Sequence, residues 1–221
     1  MDHSLLQQMQ KDWDARAREN ARHYVATEKS EWTDEEFFAS GELEAVGQID
    51  TDMTNICQGR DPRTLRVLEI GCGAGRVTRA LSNRFGEVHA VDISGEMIAL
   101  AKQALADRPN AHVYQNNGMD LKVVPPDVPF DFAFSTIVFQ HIPSMEVIEN
   151  YVHEVRRLLR PGALFKFQVQ GYADLKAPPD TWLGVSFSKH QAIEMAERCD
   201  FEPRYLHGAG AQYFWLWFFK K

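Results

Sequence analysis

The chain has 221 residues, 44% of them hydrophobic and 25% charged, with a formal net charge of −7. That size and composition suit one α/β domain with a modest appendage, and the negative balance excludes a broadly basic nucleic-acid surface. Cys57, Cys72 and Cys199 are scattered, follow no metal spacing and predict free thiols in a reducing compartment.

The chain opens MDHSLLQQMQKDWD, without the basic start and long apolar core of a signal peptide, which predicts a cytoplasmic protein. Leu5, Leu6, Met9, Trp13, Ala17, Asn20, Ala21 and Tyr24 then recur at helical spacing over residues 4–26. A second helical region begins near Asp34 and continues through Val46, Ile49, Met53 and Ile56, with an interruption expected at Ser40-Gly41. Gly59-Arg60-Asp61-Pro62 breaks the chain, which sets a helical cap over residues 1–60 apart from a strand-and-helix domain over 61–221.

From Leu65 the pattern alternates. Strands are predicted at Arg66–Ile70, Glu87–Ile93, His112–Gln115, Phe130–Ile137 and Ala163–Val169. Helices are predicted after the glycines that follow Ile70, after Ser94, and from Ser144 to a stop at Pro161-Gly162. A helix after Ser188, a strand at Arg204–His207 and the aromatic strand Tyr213–Phe219 close the chain. That aromatic run is far short of the roughly 20 residues a bilayer span needs. The order implies an α/β fold: a doubly wound, mostly parallel seven-stranded sheet with an antiparallel C-terminal strand, plus N-terminal helices.

The stretch VLEIGCGAGR joins the first strand to its helix. A dinucleotide-binding turn needs a third glycine at the position held here by Arg76, and a pyrophosphate would be repelled by Glu69. Glu69 instead suits an ammonium group. Asp92, at the tip of the second strand, suits the two hydroxyls of a ribose. A ligand with ribose and ammonium but no phosphate is S-adenosylmethionine.

Here the chain resembles the class I (Rossmann-like) S-adenosylmethionine-dependent methyltransferases that act on small molecules. VLEIGCGAGR, AVDIS, NNGMDL, FDFAFSTIVFQHI and RRLLRPGALFKFQ carry the resemblance, across about residues 65–170. It implies that Gly71, Gly73 and Gly75 admit the methionyl part, with Glu69 near its amino group. It places Asp92 on the ribose, Ile93 and Met97 on the adenine, and Asn117, Gly118 and Met119 along the adenine rim. Many relatives carry Asp where Asn117 stands. Ser135 and Thr136 would border the sulfonium region.

Gln140 and His141 follow strand four, where relatives place substrate-facing residues. His141 is a candidate general base, or a histidine at a helix start bonded to backbone. Trp13, Arg16 and Tyr24 share a helix face that is either core or a lid. As a lid, Arg16 would meet the methionyl carboxylate and Tyr24 would wall the pocket. Trp182, in the short insert over residues 171–187, is a candidate substrate contact. No N/D-P-P-Y/F motif follows strand four, which argues against amide and nucleobase-amine acceptors. The remaining histidines show no H-E-x-x-H spacing, so no metal is expected. The predicted partner is a small molecule, with neither nucleic acid nor membrane, and the oligomeric state is left open. The rival functions are an S-adenosylmethionine-binding domain without turnover and an NAD(P)-dependent oxidoreductase.

Overall fold

The architecture follows from which stretches are apolar on both sides and which on one. A computed structural model describes residues 3–172 and 178–221, so residues 173–177 of the expected insert lie outside the described residues. The strands are β1 (Arg66–Ile70), β2 (Glu87–Asp92), β3 (Ala111–Gln115), β4 (Phe130–Ser135), β5 (Leu159–Gln170), β6 (Phe201–His207) and β7 (Tyr213–Lys220). They form one sheet in the order β3-β2-β1-β4-β5-β7-β6. β1 to β5 pair in parallel, while β7 runs antiparallel to both β5 and β6. This is the expected doubly wound sheet with its reversed last strand. Every residue of β4 is buried, as a central strand covered by helices on both faces requires.

Helices α1 (His3–Val25), α2 (Asp34–Gln48), α3 (Met53–Cys57), α4 (Arg76–Ser82), α5 (Gly95–Ala104), α6 (Met145–Leu158) and α7 (Lys189–Arg198) cover the sheet. One apolar cluster joins Val91, Phe130, Phe165, Phe167 and Phe218 to α6 and α7. A second, on the other face, joins Val67, Phe132, Phe134, Trp215 and Phe219 to α2, α3 and α4.

The breaks expected at Ser40-Gly41 and Pro161-Gly162 do not interrupt a helix. α2 runs without a break through Ser40-Gly41, because Gly41 is where it crosses α4: a Cβ there would lie 2.3 Å from the Arg76 carbonyl oxygen. α6 ends at Leu158, and Pro161-Gly162 fall inside β5 rather than stopping the helix. Leu159 already pairs with Phe130, and the register shift between Phe130 and Phe132 accommodates the turn.

The first sixty residues are built into the domain. Leu6 and Met9 of α1 belong to the same cluster as the sheet phenylalanines. Asp14 accepts hydrogen bonds from the Ser94 hydroxyl (2.6 Å) and the Glu96 amide, which docks α1 on the start of α5. Just before α3, buried Asp52 sits 3.1 Å from the buried Lys166 ammonium on β5 and accepts from the Trp217 indole on β7. No helix among the described residues is long and apolar enough to cross a membrane.

Candidate functional site

The cavity lies where β1 and β4 diverge at their carboxyl ends, the switch point of a doubly wound sheet. It measures about 870 Å³ with its mouth included. The β1–α4 turn makes one side. Gly71 (φ +75°) and Gly73 (φ +51°) take left-handed conformations that a side chain would strain. A Cβ would lie 2.2 Å from Val138 at the first and 2.7 Å from Val25 at the second. The turn is pinned to β2: the Gly71 and Cys72 amides donate to the Val91 carbonyl, and the Gly73 amide donates to Asp92 Oδ2 at 2.8 Å. Asp92 Oδ1 accepts from the Ser94 amide at 2.9 Å.

Two carboxylates face this space under opposing influences. Burial pushes Glu69 up to about 7, although the Thr78 hydroxyl donates to it at 2.6 Å and the Arg76 charge favours its ionised form. Burial also raises Asp92 to about 6, against the amides of Ser94 and Gly73 that favour its charge. Both are primed to gain from a cation or hydroxyl donors delivered by a ligand. Arg76, the first residue of α4, lines the same space. It is buried, donates one bond to the Ser40 hydroxyl at 3.3 Å, and leaves its Nε without a partner. An orphaned donor on a buried cation is costly, and a ligand carboxylate would satisfy it.

Of the residues singled out in the sequence, Trp13, Tyr24, Glu69, Gly71, Gly73, Asp92, Ile93, Met97, Thr136 and His141 line the cavity. Eight others stand back from it. Gly75 is the N-cap of α4, and a Cβ there would press on Ala101 and Leu105 of α5, so its smallness serves helix packing. Ser135 donates to the Ile70 carbonyl between strands. Gln140 accepts from Gln168 at 2.9 Å inside the core. Gly118 packs on Ile93, while Met119 leans on the main core.

Asn117 is exposed, and its Oδ1 accepts from the Met119 and Asp120 amides, so it caps its own turn. The cavity residue is its neighbour Asn116, whose amide donates to Asp92 O at the tip of β2 and whose side chain donates to the Tyr151 hydroxyl at 2.7 Å. Arg16 donates instead to the Thr181 carbonyl (2.9 Å) and hydroxyl, lying over the rings of Trp13 and Trp182. Trp182 therefore acts at the rim, 5.0 Å from the His141 ring and 40% exposed.

His141 has both ring nitrogens engaged. Its Nδ1 donates to the Trp182 carbonyl at 2.5 Å, leaving Nε2 to accept from the Gln140 side-chain amide at 3.2 Å. Burial lowers it to about 4, so it is neutral at physiological pH. Sequence reasoning also missed Ile137, whose φ of +55° is strained for a β-branched residue. Its amide donates to Gln168 Oε1, and buried Gln168 props the turn from β5. Such strain gathers at ligand sites, and the only advance signal was its place just beyond β4.

Residues 67–162 match the family described as methyltransferase domain. The malonyl-[acyl-carrier protein] O-methyltransferase of Enterobacter lignolyticus is 31% identical over 130 residues, 58% of this chain and 48% of that protein. That stretch is therefore similar to a methyltransferase domain. The trans-aconitate 2-methyltransferase of Azoarcus sp. is 34% identical to it over 105 residues, 47% of this chain and 38% of that protein. The chain thus spans about half the length, or less, of these curated relatives. In fold, the chain superposes on a DhpI–SAM–HEP complex over 99% of both chains, with a TM-score of 0.67 at 21% identity.

The cofactor of this domain class is S-adenosylmethionine, and the cavity suits its parts. The bare Gly71–Gly73 backbone, Glu69 and the Arg76 guanidinium with its unpaired Nε fit a zwitterionic amino acid. Asp92 fits a ribose, and Ile93 with Met97 an adenine. A dinucleotide finds no such fit, because the third glycine it needs is replaced by Arg76, whose backbone packs under α2 at Gly41.

Proposed function

We propose that this protein is an S-adenosylmethionine-dependent methyltransferase that esterifies a carboxylate of a small acidic molecule. One observation carries the choice of acceptor: the one imidazole on the cavity wall has both ring nitrogens engaged, and the two carboxylates there are set aside for the cofactor. Glu69 is bonded to Thr78, Asp92 to two amides, and both nitrogens of His141 are engaged. An acceptor therefore has to arrive already nucleophilic, and a carboxylate does so at neutral pH where an alcohol or ammonium does not. The malonyl and trans-aconitate relatives, both named for acidic acceptors, support the same reading.

When bound, S-adenosylmethionine supplies a methyl group already activated on a sulfonium. The task of the protein is then to align and to exclude water. Trp13, Tyr24 and His141 line the cavity, with the Trp182 ring tilted against His141. The helical cap over residues 1–60 supplies Trp13 and Tyr24 through α1, and His141 acts as a neutral positioning group rather than a base. Buried free cysteines fit a reducing, cytoplasmic setting, and the net charge of −7 fits a small-molecule partner better than nucleic acid.

The test supplies methyl-labelled cofactor with a panel of free dicarboxylates, carrier-bound malonyl groups, phenols and amines. Label in a base-labile ester is the expected outcome, and His141→Asn keeps most of that turnover. Label confined to phenols or amines, or an activity abolished by His141→Asn at saturating acceptor, overturns the carboxylate reading. Cofactor binding with no transfer to any acceptor would favour a domain that only binds.

A further inference from the structure

Away from the cavity, β2 and β3 bring together three side chains that no linear spacing announces. Glu87 and His89 are two apart on β2 and so share a sheet face, and His112 sits directly opposite His89 in the β2–β3 register. The two imidazole rings have centroids 4.9 Å apart. Glu87 Oε1 lies 2.8 Å from His89 Nε2 and 3.6 Å from His112 Nε2, and one ligand atom from each residue falls within 4.8 Å of the others. A tetrahedral zinc ion with bonds near 2.0–2.2 Å holds its ligand atoms about 3.3 Å apart, so both Glu87 contacts are within about half an ångström of that spacing and the histidine pair has at most about 1.5 Å to close.

We propose that Glu87, His89 and His112 form a site for a divalent transition-metal ion of the zinc or nickel type, with solvent completing its shell. Two imidazoles and one carboxylate are the donor set such ions take. The surroundings supply the support that metal-binding histidines use. The Tyr114 hydroxyl lies 3.0 Å from His89 Nδ1 and accepts its proton, which turns the Nε2 lone pair toward the metal. Arg66 Nε holds Glu87 Oε2 at 2.9 Å and leaves Oε1 for the ion. The Arg66 Nη2 atom, now 3.1 Å from His89 Nε2, gives up that edge on binding, and its charge keeps the affinity moderate.

His89 lies three residues before Asp92 on β2, roughly 10 Å along the strand, so this ion takes no part in methyl transfer. It clamps the edge strand β3 to β2 instead. A second cluster, Glu149, His153 and Cys199, is a poorer candidate. Arg198 holds both oxygens of Glu149, and burial pushes the Cys199 thiol up to about 12.

Isothermal titration of the tag-free chain with zinc chloride tests the site. The expected result is one ion per chain with a dissociation constant on the order of micromolar and a raised melting temperature. His112→Ala, at a half-exposed position, should lose that ion while leaving methyl transfer and the circular-dichroism spectrum unchanged, and His153→Ala should keep it. Loss of the ion with His153→Ala, its retention with His112→Ala, or no uptake by the wild type overturns the proposal. None of these outcomes bears on the methyltransferase reading.

Discussion

At the scale of single residues, the cavity is built from groups that are badly placed until a ligand arrives. Arg76 is a buried cation with an unpaired Nε and one long hydrogen bond. Replacing it by Met keeps the stem and removes the charge. Loss of a charge-assisted contact of about 1.5–3 kcal/mol predicts cofactor affinity roughly ten- to a hundredfold weaker by calorimetry. The ligand-free protein should melt no lower, since a buried guanidinium with an unpaired Nε is gone. Glu69 at about 7 and Asp92 at about 6 set a pH window. A ligand ammonium prefers ionised carboxylates, so cofactor binding should tighten as pH rises from about 5.5 to 7.5, and Glu69→Gln should flatten that rise. This pocket was partly readable in advance. The Glu69, Gly71, Gly73 and Asp92 set follows from local turn chemistry and strand tips. Asn117 was singled out although its neighbour Asn116 lines the cavity, because two adjacent asparagines look alike until the turn spends one of them on its own amides.

At the scale of elements, close contacts override local propensity. Alanine normally favours a helix interior over glycine by about 1 kcal/mol. Gly41→Ala should nonetheless destabilise the protein by roughly 1–3 kcal/mol, because the added methyl meets the Arg76 carbonyl oxygen and parts α2 from α4. Thermal melts check the sign. The Ser40-Gly41 pair looked like a break for the same reason: an isolated glycine reads as a stop when the partner helix is invisible. Similarly, α1 is amphipathic by sequence, but only the fold shows Arg16 tied to Thr181 and away from the cavity.

At the scale of the whole molecule, the two raised carboxylates couple ligand-free stability to pH. Each holds its proton more tightly folded than unfolded. Their stabilising contribution is therefore complete below the ordinary carboxylate range, near pH 4, and is lost as pH rises through about 6 to 7. Melting temperatures of the ligand-free protein should accordingly fall between pH 5 and pH 8 through these groups. Saturating cofactor should restore stability most at the upper end, because it binds the folded, ionised state alone.

The sequence alone determined the alternation of strands and helices, the reversed last strand and the glycine turn with its two acids. Each of these is written in residues a few positions apart, through side-chain periodicity, backbone freedom and capping. Only tertiary structure decided that the Arg76 Nε is left unpaired, that His141 has no free nitrogen, and that Glu87 and His89 meet His112. Those facts depend on strand register and helix crossing, which bring together groups that sequence distance keeps apart.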